Sequence, residues 1–323
     1  MDLNILDLID EGKCYEYLRY RRWLGTVRCV KCQSDKVNKN GKSRHSEYCQ
    51  QYKCKSCGKY FDDRTGTIFS GNHQLLKIWV LVMYFIGLNL STRQIARELE
   101  LDDKTCRSIA EQIRTSITCC QEEPILSGEV EVDEVYIVAG HKGQSKKVEE
   151  IGREGRRRRL KGARGRGTLK KEKPPIIGFV QRTGELLMRV LPNVQQKTIE
   201  PIFEASVAKG TIVYTDEYNI YNKLPNWGYI HLTVCHSIGE YARDEDGDGF
   251  CEVHVNTQEG VWPLLRSWLR PHRGVSQDKL PKYIGFFQFV HNIRKRGRAL
   301  MKALFDTLLL DKKREMENVC PSV

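Results

Sequence analysis

The sequence predicts an α+β chain of several domains: a small metal-stapled ribbon, a helical region, and a mixed sheet with helices packed on it. Three observations carry this. Two Cys-x-x-Cys pairs, Cys29/Cys32 and Cys54/Cys57, have 21 residues between them. The hydrophobic period is helical from residue 75 to 117, and it alternates strand-fashion from residue 128 onward. A chain of 323 residues has room for one large domain or two to three smaller ones, and 40% hydrophobic residues suffice for real cores.

Composition narrows the function classes. No apolar run approaches the roughly 20 residues needed to span a bilayer. The N-terminus, MDLNILDLIDEGK, is acidic and lacks the basic region of a secretory signal. The expectation is a soluble intracellular protein with no membrane partner, cytoplasmic in a bacterium and nuclear in a eukaryotic host. Twelve cysteines in a reducing compartment point to metal ligands and buried thiols over disulfides. A formal net charge of +12 points to a polyanionic partner, nucleic acid before membrane. Residues 142–173 hold 14 Lys and Arg against four Glu, a net of +10, and the rest of the chain is close to neutral. Within this basic stretch, residues 156–173 carry Arg156, Arg157, Arg158, Arg159, Lys161, Arg164 and Arg166 with Gly162, Gly165 and Gly167 and have no apolar period. It reads as a loop that orders on a phosphate backbone, the alternative being a solvated loop or localisation patch.

In chain order, residues 1–25 form a short helical lead with a docking face of Leu3, Leu6, Ile9, Tyr17 and Trp23. Residues 26–66 match a zinc ribbon. Each Cys-x-x-Cys turns two thiolates onto one ion, and Cys29, Cys32, Cys54 and Cys57 complete a closed tetrahedron, hence structural Zn²⁺. Binding could supply on the order of 10 kcal/mol to a fold with little core of its own. His45 and Cys49 could substitute but lack the paired spacing. Lys36, Lys39, Lys42 and Arg44, with Tyr48 and Tyr52, make the intervening hairpin basic and aromatic.

Residues 67–122 are helical. Leu75, Ile78, Trp79, Val82, Met83 and Ile86 share one face of a helix that Gly87 ends. Ser91 is placed to cap a second helix running to Leu99. After a break at 101–103, a third helix follows through Thr105, Ile109, Ile113 and Ile117. A short helix, a tight turn and a longer helix make a helix-turn-helix pattern, with Arg93 on its first helix and Lys104, Thr105 and Arg107 opening the second as DNA-contacting candidates. A plain helical bundle is the alternative.

Residues 123–310 read as the sheet domain, with 311–323 as a tail. The run GEVEVDEVYI, 128–137, alternates valines with acids and puts four carboxylates in six residues. Asp133 falls late in it, where a strand can present an acid to a metal or substrate; an edge strand with a solvated acidic face is the bland alternative. Strands at 175–180 and 186–190 form a hairpin. A helix over 198–208 carries Ile199, Ile202, Phe203 and Val207, and a buried strand, 211–216, ends on Asp216. The order β-β-β-α-β is that of a ribonuclease-H-like sheet. The run DEDGDG at 244–249 resembles the start of an EF-hand but has Val255 where a bidentate Glu is required, so it reads as an acidic turn. Glu259 and Arg266, seven apart, share a helix face; Asn256 and Glu259 are also spaced as a capping box. Pro263 loses a helical hydrogen bond, so a kink or a later helix start is expected. The cluster Tyr283, Phe286, Phe287 and Phe289 reads as core, and Arg294 to Arg298 as a second basic patch. Three carboxylates, Asp133, Asp216 and Glu259, converging across such a sheet can hold two divalent ions roughly 4 Å apart, and Mg²⁺ (or Mn²⁺) suits oxygen ligands with open water positions.

The ribbon, EVDE at 131–134, TDEY at 215–218, CHSIGEYARD at 235–244 and VNTQEGVW at 255–262 together resemble the bacterial insertion-sequence DDE transposases of the Merlin-related, ISXO2-like family. The resemblance covers nearly the whole chain. It implies a metal-dependent cut-and-paste DNA transposase. Its partner would be double-stranded DNA, both terminal inverted repeats and target, bound as a homodimer or higher oligomer. It implies Asp133, Asp216 and Glu259 as the catalytic acids, with Arg266 as the basic residue seven beyond the Glu and Asn256 as the competing third residue. The alternatives are a decayed or domesticated copy that binds DNA without cutting it, and a zinc-ribbon transcription regulator.

Overall fold

The computed structural model describes residues 4–44, 46–150, 152, 167–169, 172–182, 184–235, 239–240, 242–245, 247, 249, 251–294 and 297–309. The basic residues singled out from Arg156 to Arg166, and the tail 311–323, lie outside these. The chain divides into two compact units, Met1–Gln121 with Ile293–Val323, and Glu122–Asn292. The division falls short of the residue-310 boundary read from the sequence.

In the first unit, α1 (Ile5–Leu8) and α2 (Glu11–Trp23) are followed by the antiparallel ribbon β1 (Val37–Ser43), β2 (Ser46–Cys54) and β3 (Tyr60–Asp62). The docking face differs from the expected one. Tyr17 is buried as read, but Leu6 and Ile9 are 73% and 57% exposed, because α1 is a single turn that stops at Ile9, and Leu8, Cys14, Tyr15 and Leu18 are buried in their place. Ribbon core residues Tyr52, Phe61 and Cys54 pack with Trp23 and Val27. Tyr52 therefore belongs to the core and not to a surface face. Its hydroxyl donates to the buried Asp63 at 3.0 Å, which also accepts from Arg19 Nη1 at 2.9 Å and the Gln50 N–H at 2.7 Å.

Three helices continue the unit: α3 (Leu76–Gly87), α4 (Thr92–Glu98) and α5 (Asp103–Cys120). Leu75 precedes α3 and is exposed, so Leu76 takes its expected place in the core. The Glu11 carboxylate accepts from the first amides of α3, Leu76 at 2.9 Å and Lys77 at 2.8 Å, satisfying donors that a helix start leaves open. Ser91 caps α4 in a reciprocal box with Gln94, and Ile109, Ile113 and Ile117 are buried on α5 as the period required. The C-terminal helix Arg298–Leu309 packs on α2, α3 and α5 through Leu300, Met301, Leu304, Phe305 and Leu308. Phe305 meets Tyr17 edge-on at 5.0 Å, and Asp306 pairs with Arg21. Its apolar stripe has partners in this unit, which is why it groups here.

The second unit holds β4 (Glu129–Tyr136), α6 (Ser145–Glu150), β5 (Pro175–Gln181), β6 (Leu186–Val190), α7 (Gln196–Ser206), β7 (Ile212–Asp216), β8 (Ile230–Val234), β9 (Ala242–Arg243), β10 (Val253–His254), α8 (Asn256–Leu269) and α9 (Leu280–Ile293). One five-stranded mixed sheet has the order β6-β5-β4-β7-β8, with β5 antiparallel to both neighbours and β4, β7 and β8 mutually parallel. The acidic strand β4 is thus central, not an edge. Its alternation sorts the two faces: Val130 and Val132 join Ile177, Phe179, Ile199, Phe203 and Val213 in a core beneath α7. Glu131 and Asp133 point to the opposite face, where α8 packs on β4 and β5. The aromatics Phe286, Phe287 and Phe289 are buried on α9, as read, with Trp268 against Phe287 at 5.8 Å. No described helix is long and apolar enough to cross a membrane.

Candidate active site and metal centre

The acids come together through register. β4 and β7 are parallel, and Glu131 pairs with Tyr214. Two residues beyond that last pair, each strand carries an acid, Asp133 on β4 and Asp216 at the end of β7. Above them lies α8, which begins at Asn256 with Glu259 in its first turn. An acid there is favoured by the exposed N–H groups of a helix start.

Asp133 is held from two sides. Its Oδ2 accepts from the Trp262 indole N–H at 2.7 Å, and its Oδ1 from the Glu134 N–H at 2.7 Å. Burial pushes its carboxyl up to about 6; these two hydrogen bonds oppose the rise, while the charges of Asp216 and Glu259 add to it. Asp133 is therefore close enough to feel both other acids, although among the described residues the three do not gather as tightly as the four cysteines below. Asp216 Oδ1 accepts from the Tyr218 N–H at 3.1 Å. Glu134 takes the Tyr221 hydroxyl at 2.6 Å, and complete burial beside that carboxylate raises the Tyr221 pKa.

Two features of α8 correct the sequence reading. The helix starts at Asn256 in spite of Pro263, which sits inside it without ending it. The missing N–H of Pro263 is the one that would reach the Glu259 carbonyl. Asn256 is the first helical residue and Val255 is the cap, so the Asn256–Glu259 capping box does not form. Asn256, Glu259 and Arg266 are all exposed.

Sequence reasoning missed several residues that shape this site. Gly178 pairs with Asp133 across β4 and β5. A Cβ there would meet Gln258 Nε2 at 2.2 Å and the Trp262 ring at 2.7 Å, so only glycine lets α8 lie this close to the sheet. The glycine interrupting the apolar run PIIGFV was the available signal. Glu131 is fully buried and paired with Arg182 at 3.0 Å. Its neighbours in the sequence gave no hint that one acid of four would sit inside.

The sulfurs of Cys29, Cys32, Cys54 and Cys57 all lie within 4.8 Å of one another, with Cys29–Cys57 and Cys32–Cys54 both at 3.6 Å. Burial opposes ionisation of Cys54, but the backbone N–H groups of Cys57 and Ser56, then the Cys32 and Cys57 thiols, bring it down to about 6. The Ser34 N–H favours a thiolate at Cys32, yet the sulfurs of Cys57, Cys54 and Cys29 and burial push it up to about 12. Four crowded sulfurs that cannot all ionise alone are a donor set that fits a tetrahedral cation such as Zn²⁺. Cys49 is buried elsewhere, against Tyr15, and His45 lies outside the described residues. In the EF-hand-like run, Asp244 accepts from the N–H groups of Gly247 at 2.6 Å and Gly249 at 2.8 Å.

Of the DNA-contacting candidates, Arg93 on α4 and Lys104 and Arg107 on α5 are exposed. Thr105 is half-buried, and its N–H donates to Asp102, the cap of α5, at 3.1 Å.

The fold offers acids on two neighbouring parallel strands of a mixed sheet, Asp133 within β4 and Asp216 at the end of β7, and a separate four-cysteine cluster. Comparison narrows this. Residues 125–292 match the ISXO2-like transposase domain, and the chain belongs to that family. It is 33% identical to a protein of the transposable element ISH50 of Halobacterium salinarum, over 95% of this chain and the full length of the relative. It is 26% identical to a transposase-like protein of Haemophilus influenzae over 29% of this chain and 71% of that one. Among solved structures, a simian T-cell lymphotropic virus intasome in complex with a PP2A regulatory subunit aligns at 8% identity and TM-score 0.29, over 68% of this chain and 73% of that one. A pre-cleavage Mos1 transpososome aligns at 10% identity and TM-score 0.25, over 79% and 85%. Overlaps that loose define no shared arrangement.

Proposed function

We propose that the chain is a DDE-type DNA transposase that binds terminal inverted repeats and catalyses metal-dependent strand cleavage and transfer. The observation that carries the reading is the placement of the acids, in a chain of the ISXO2-like family: Asp133 on β4, Asp216 at the end of the neighbouring parallel β7, and Glu259 in the first turn of α8, which packs on β4. A buried carboxylate with two further acids close to it suits divalent cations. The sheet order β6-β5-β4-β7-β8, with its second strand antiparallel, supports a ribonuclease-H-like domain.

In this reading Asp133, Asp216 and Glu259 hold two Mg²⁺ (or Mn²⁺) ions. Such ions, when bound, neutralise charge on the attacking and leaving oxygens of a phosphodiester. The chain does the rest. Trp262 fixes the Asp133 oxygen, Gly178 lets α8 close on the strands, and Arg266, two turns beyond Glu259, offers a cation to the phosphate backbone. Asn256, one turn before Glu259, is placed to compete for the third role. Zn²⁺ in the four-cysteine centre is structural.

The α4–α5 pair is read as a helix-turn-helix, with Arg93, Lys104, Thr105 and Arg107 on DNA and the 142–173 loop as a second, sequence-indifferent contact. The protein acts as a dimer or higher oligomer on DNA. The test is direct: full-length protein, a duplex ending in the element's own terminal repeat, and Mg²⁺. Nicking at the repeat end followed by joining to target DNA is the expected result. Tight repeat binding with no cleavage in either Mg²⁺ or Mn²⁺ would point instead to a decayed or domesticated binder.

A further inference from the structure

Two charged side chains beside the acids have no part in the chemistry just described. Glu131 lies two residues before Asp133 on the same face of β4 and is fully buried. Its Oε1 accepts from Arg182 Nε at 3.0 Å and from the Thr257 hydroxyl at 2.9 Å; its Oε2 accepts from the Gln258 N–H at 3.0 Å. His254 Nδ1 is 3.2 Å from Oε1. Arg182 continues the network, donating through Nη1 to Glu129 at 2.8 Å and through Nη2 to the carbonyls of Glu252 at 2.6 Å and His254 at 3.2 Å. Its guanidinium also lies over the Tyr214 ring, 4.0 Å from the centroid.

The pair grips the chain on both sides of Val255, where β10 turns into α8. Arg182 holds carbonyls before the turn, and Glu131 holds donors after it. Val255 supplies no side-chain cap, so the capping carboxylate for α8 comes from the strand that carries Asp133. Stability alone is a weak reason for such a pair, since apolar side chains of similar volume commonly serve as well as a buried ion pair. A charged, hydrogen-bonded pair differs in being directional: it sets where the helix begins and how it is turned about its axis.

We propose that Glu131 and Arg182 are positioning residues that fix the first turn of α8, and with it Glu259 and Asn256, relative to Asp133. The inference rests on the reading of Asp133, Asp216 and Glu259 as metal-holding acids.

Three variants of the full chain test it. Glu131→Gln removes the capping charge. The double variant Glu131→Gln with Arg182→Gln leaves no uncompensated charge from that pair in the interior. Thr257→Val removes one contact of the first turn with little change of volume. The readouts are Mn²⁺ binding to the free protein by electron paramagnetic resonance, amide exchange over residues 256–260, and the Mg²⁺ midpoint for cleavage. Loss of an outer partner of a metal site typically weakens metal affinity 10- to 100-fold, and a shift of that size is expected in Mn²⁺ affinity and in the Mg²⁺ midpoint. The Gln258 amide should exchange faster and DNA-end binding should be unchanged. Wild-type Mn²⁺ affinity and exchange in both the double variant and Thr257→Val would overturn the proposal. Asp133→Asn separates the two readings. If it loses Mn²⁺ while the three variants keep it, only the positioning role fails. If it binds Mn²⁺ and cleaves as wild type, the acid assignment itself fails, and the positioning role with it.

Discussion

The indole N–H of Trp262 donates to Oδ2 of Asp133 at 2.7 Å, so the helix carrying Glu259 also holds the strand acid in place. Trp262→Phe keeps most of the ring bulk and deletes the donor. Stability should change by only about 1 kcal/mol, the net worth of one such hydrogen bond. Single-turnover cleavage should fall roughly 10- to 100-fold, because the acid loses the group that orients it. A thermal melt and a cleavage time course on the same preparation check both halves; a wild-type rate would contradict the role given to the indole.

Asp133 also makes stability depend on pH and on cation. Its folded-state pKa is about 6 against an ordinary 3.8. The fold therefore favours the protonated acid. That contribution is fully present below pH 3.8 and is lost as the pH rises through 6, amounting to about 3 kcal/mol by pH 7. A bound cation favours the carboxylate and reverses the balance. Metal-free Asp133→Asn should accordingly be more stable than wild type above pH 6, by up to about 3 kcal/mol. Mg²⁺ should stabilise wild type more than the variant. Urea melts from pH 5 to 8, with and without Mg²⁺, test this; equal stabilities throughout would contradict it.

Gly178→Ala should be felt across the sheet. The added carbon would lie 2.7 Å from the Trp262 ring, which cannot swing clear as the Gln258 amide can. A loss of about 1–3 kcal/mol is expected for a clash of this kind. Cleavage should drop with it, since α8 must shift relative to Asp133. Equilibrium unfolding alongside cleavage measures both, and an unperturbed protein would mean that α8 does not pack here in solution.

How much of this was legible beforehand depended on whether the signal was local. The β4 alternation, the Ser91 cap, the Ile109–Ile113–Ile117 stripe and the cysteine pairs all follow from spacing along the chain, and the structure has them where they were read. What sequence could not give was the partner of each face. Glu131 and Asp133 look alike in an alternating strand; one is buried under Arg182 and the other meets Trp262, both more than 50 residues away. The helix Arg298–Leu309 carries a clear apolar stripe, but a stripe does not say which unit it packs on. Leu6 and Ile9 misled because a helical period was extended through the break between two helices at Ile9–Asp10.

The ribbon should contain one Zn²⁺ per chain. Cys54→Ser with Cys57→Ser should abolish it and, with it, binding to the element ends, because the ribbon has only a handful of core residues to hold it without a metal. Elemental analysis and a gel-shift titration suffice. Zinc-free wild-type protein, or unchanged zinc in the double variant, would contradict the four-thiolate site.

The central claim is that three acids act together on phosphodiester bonds. The most direct measurement is Mg²⁺-dependent cleavage of a terminal-repeat duplex by Asp133→Asn, Asp216→Asn, Glu259→Gln and Asn256→Ala, with end binding followed in parallel. Each of the three acid variants keeps side-chain shape and removes charge, so each should lose cleavage while binding DNA nearly as wild type does. Normal cleavage by Glu259→Gln with loss in Asn256→Ala would move the third role to Asn256. Wild-type cleavage by all four would contradict the account.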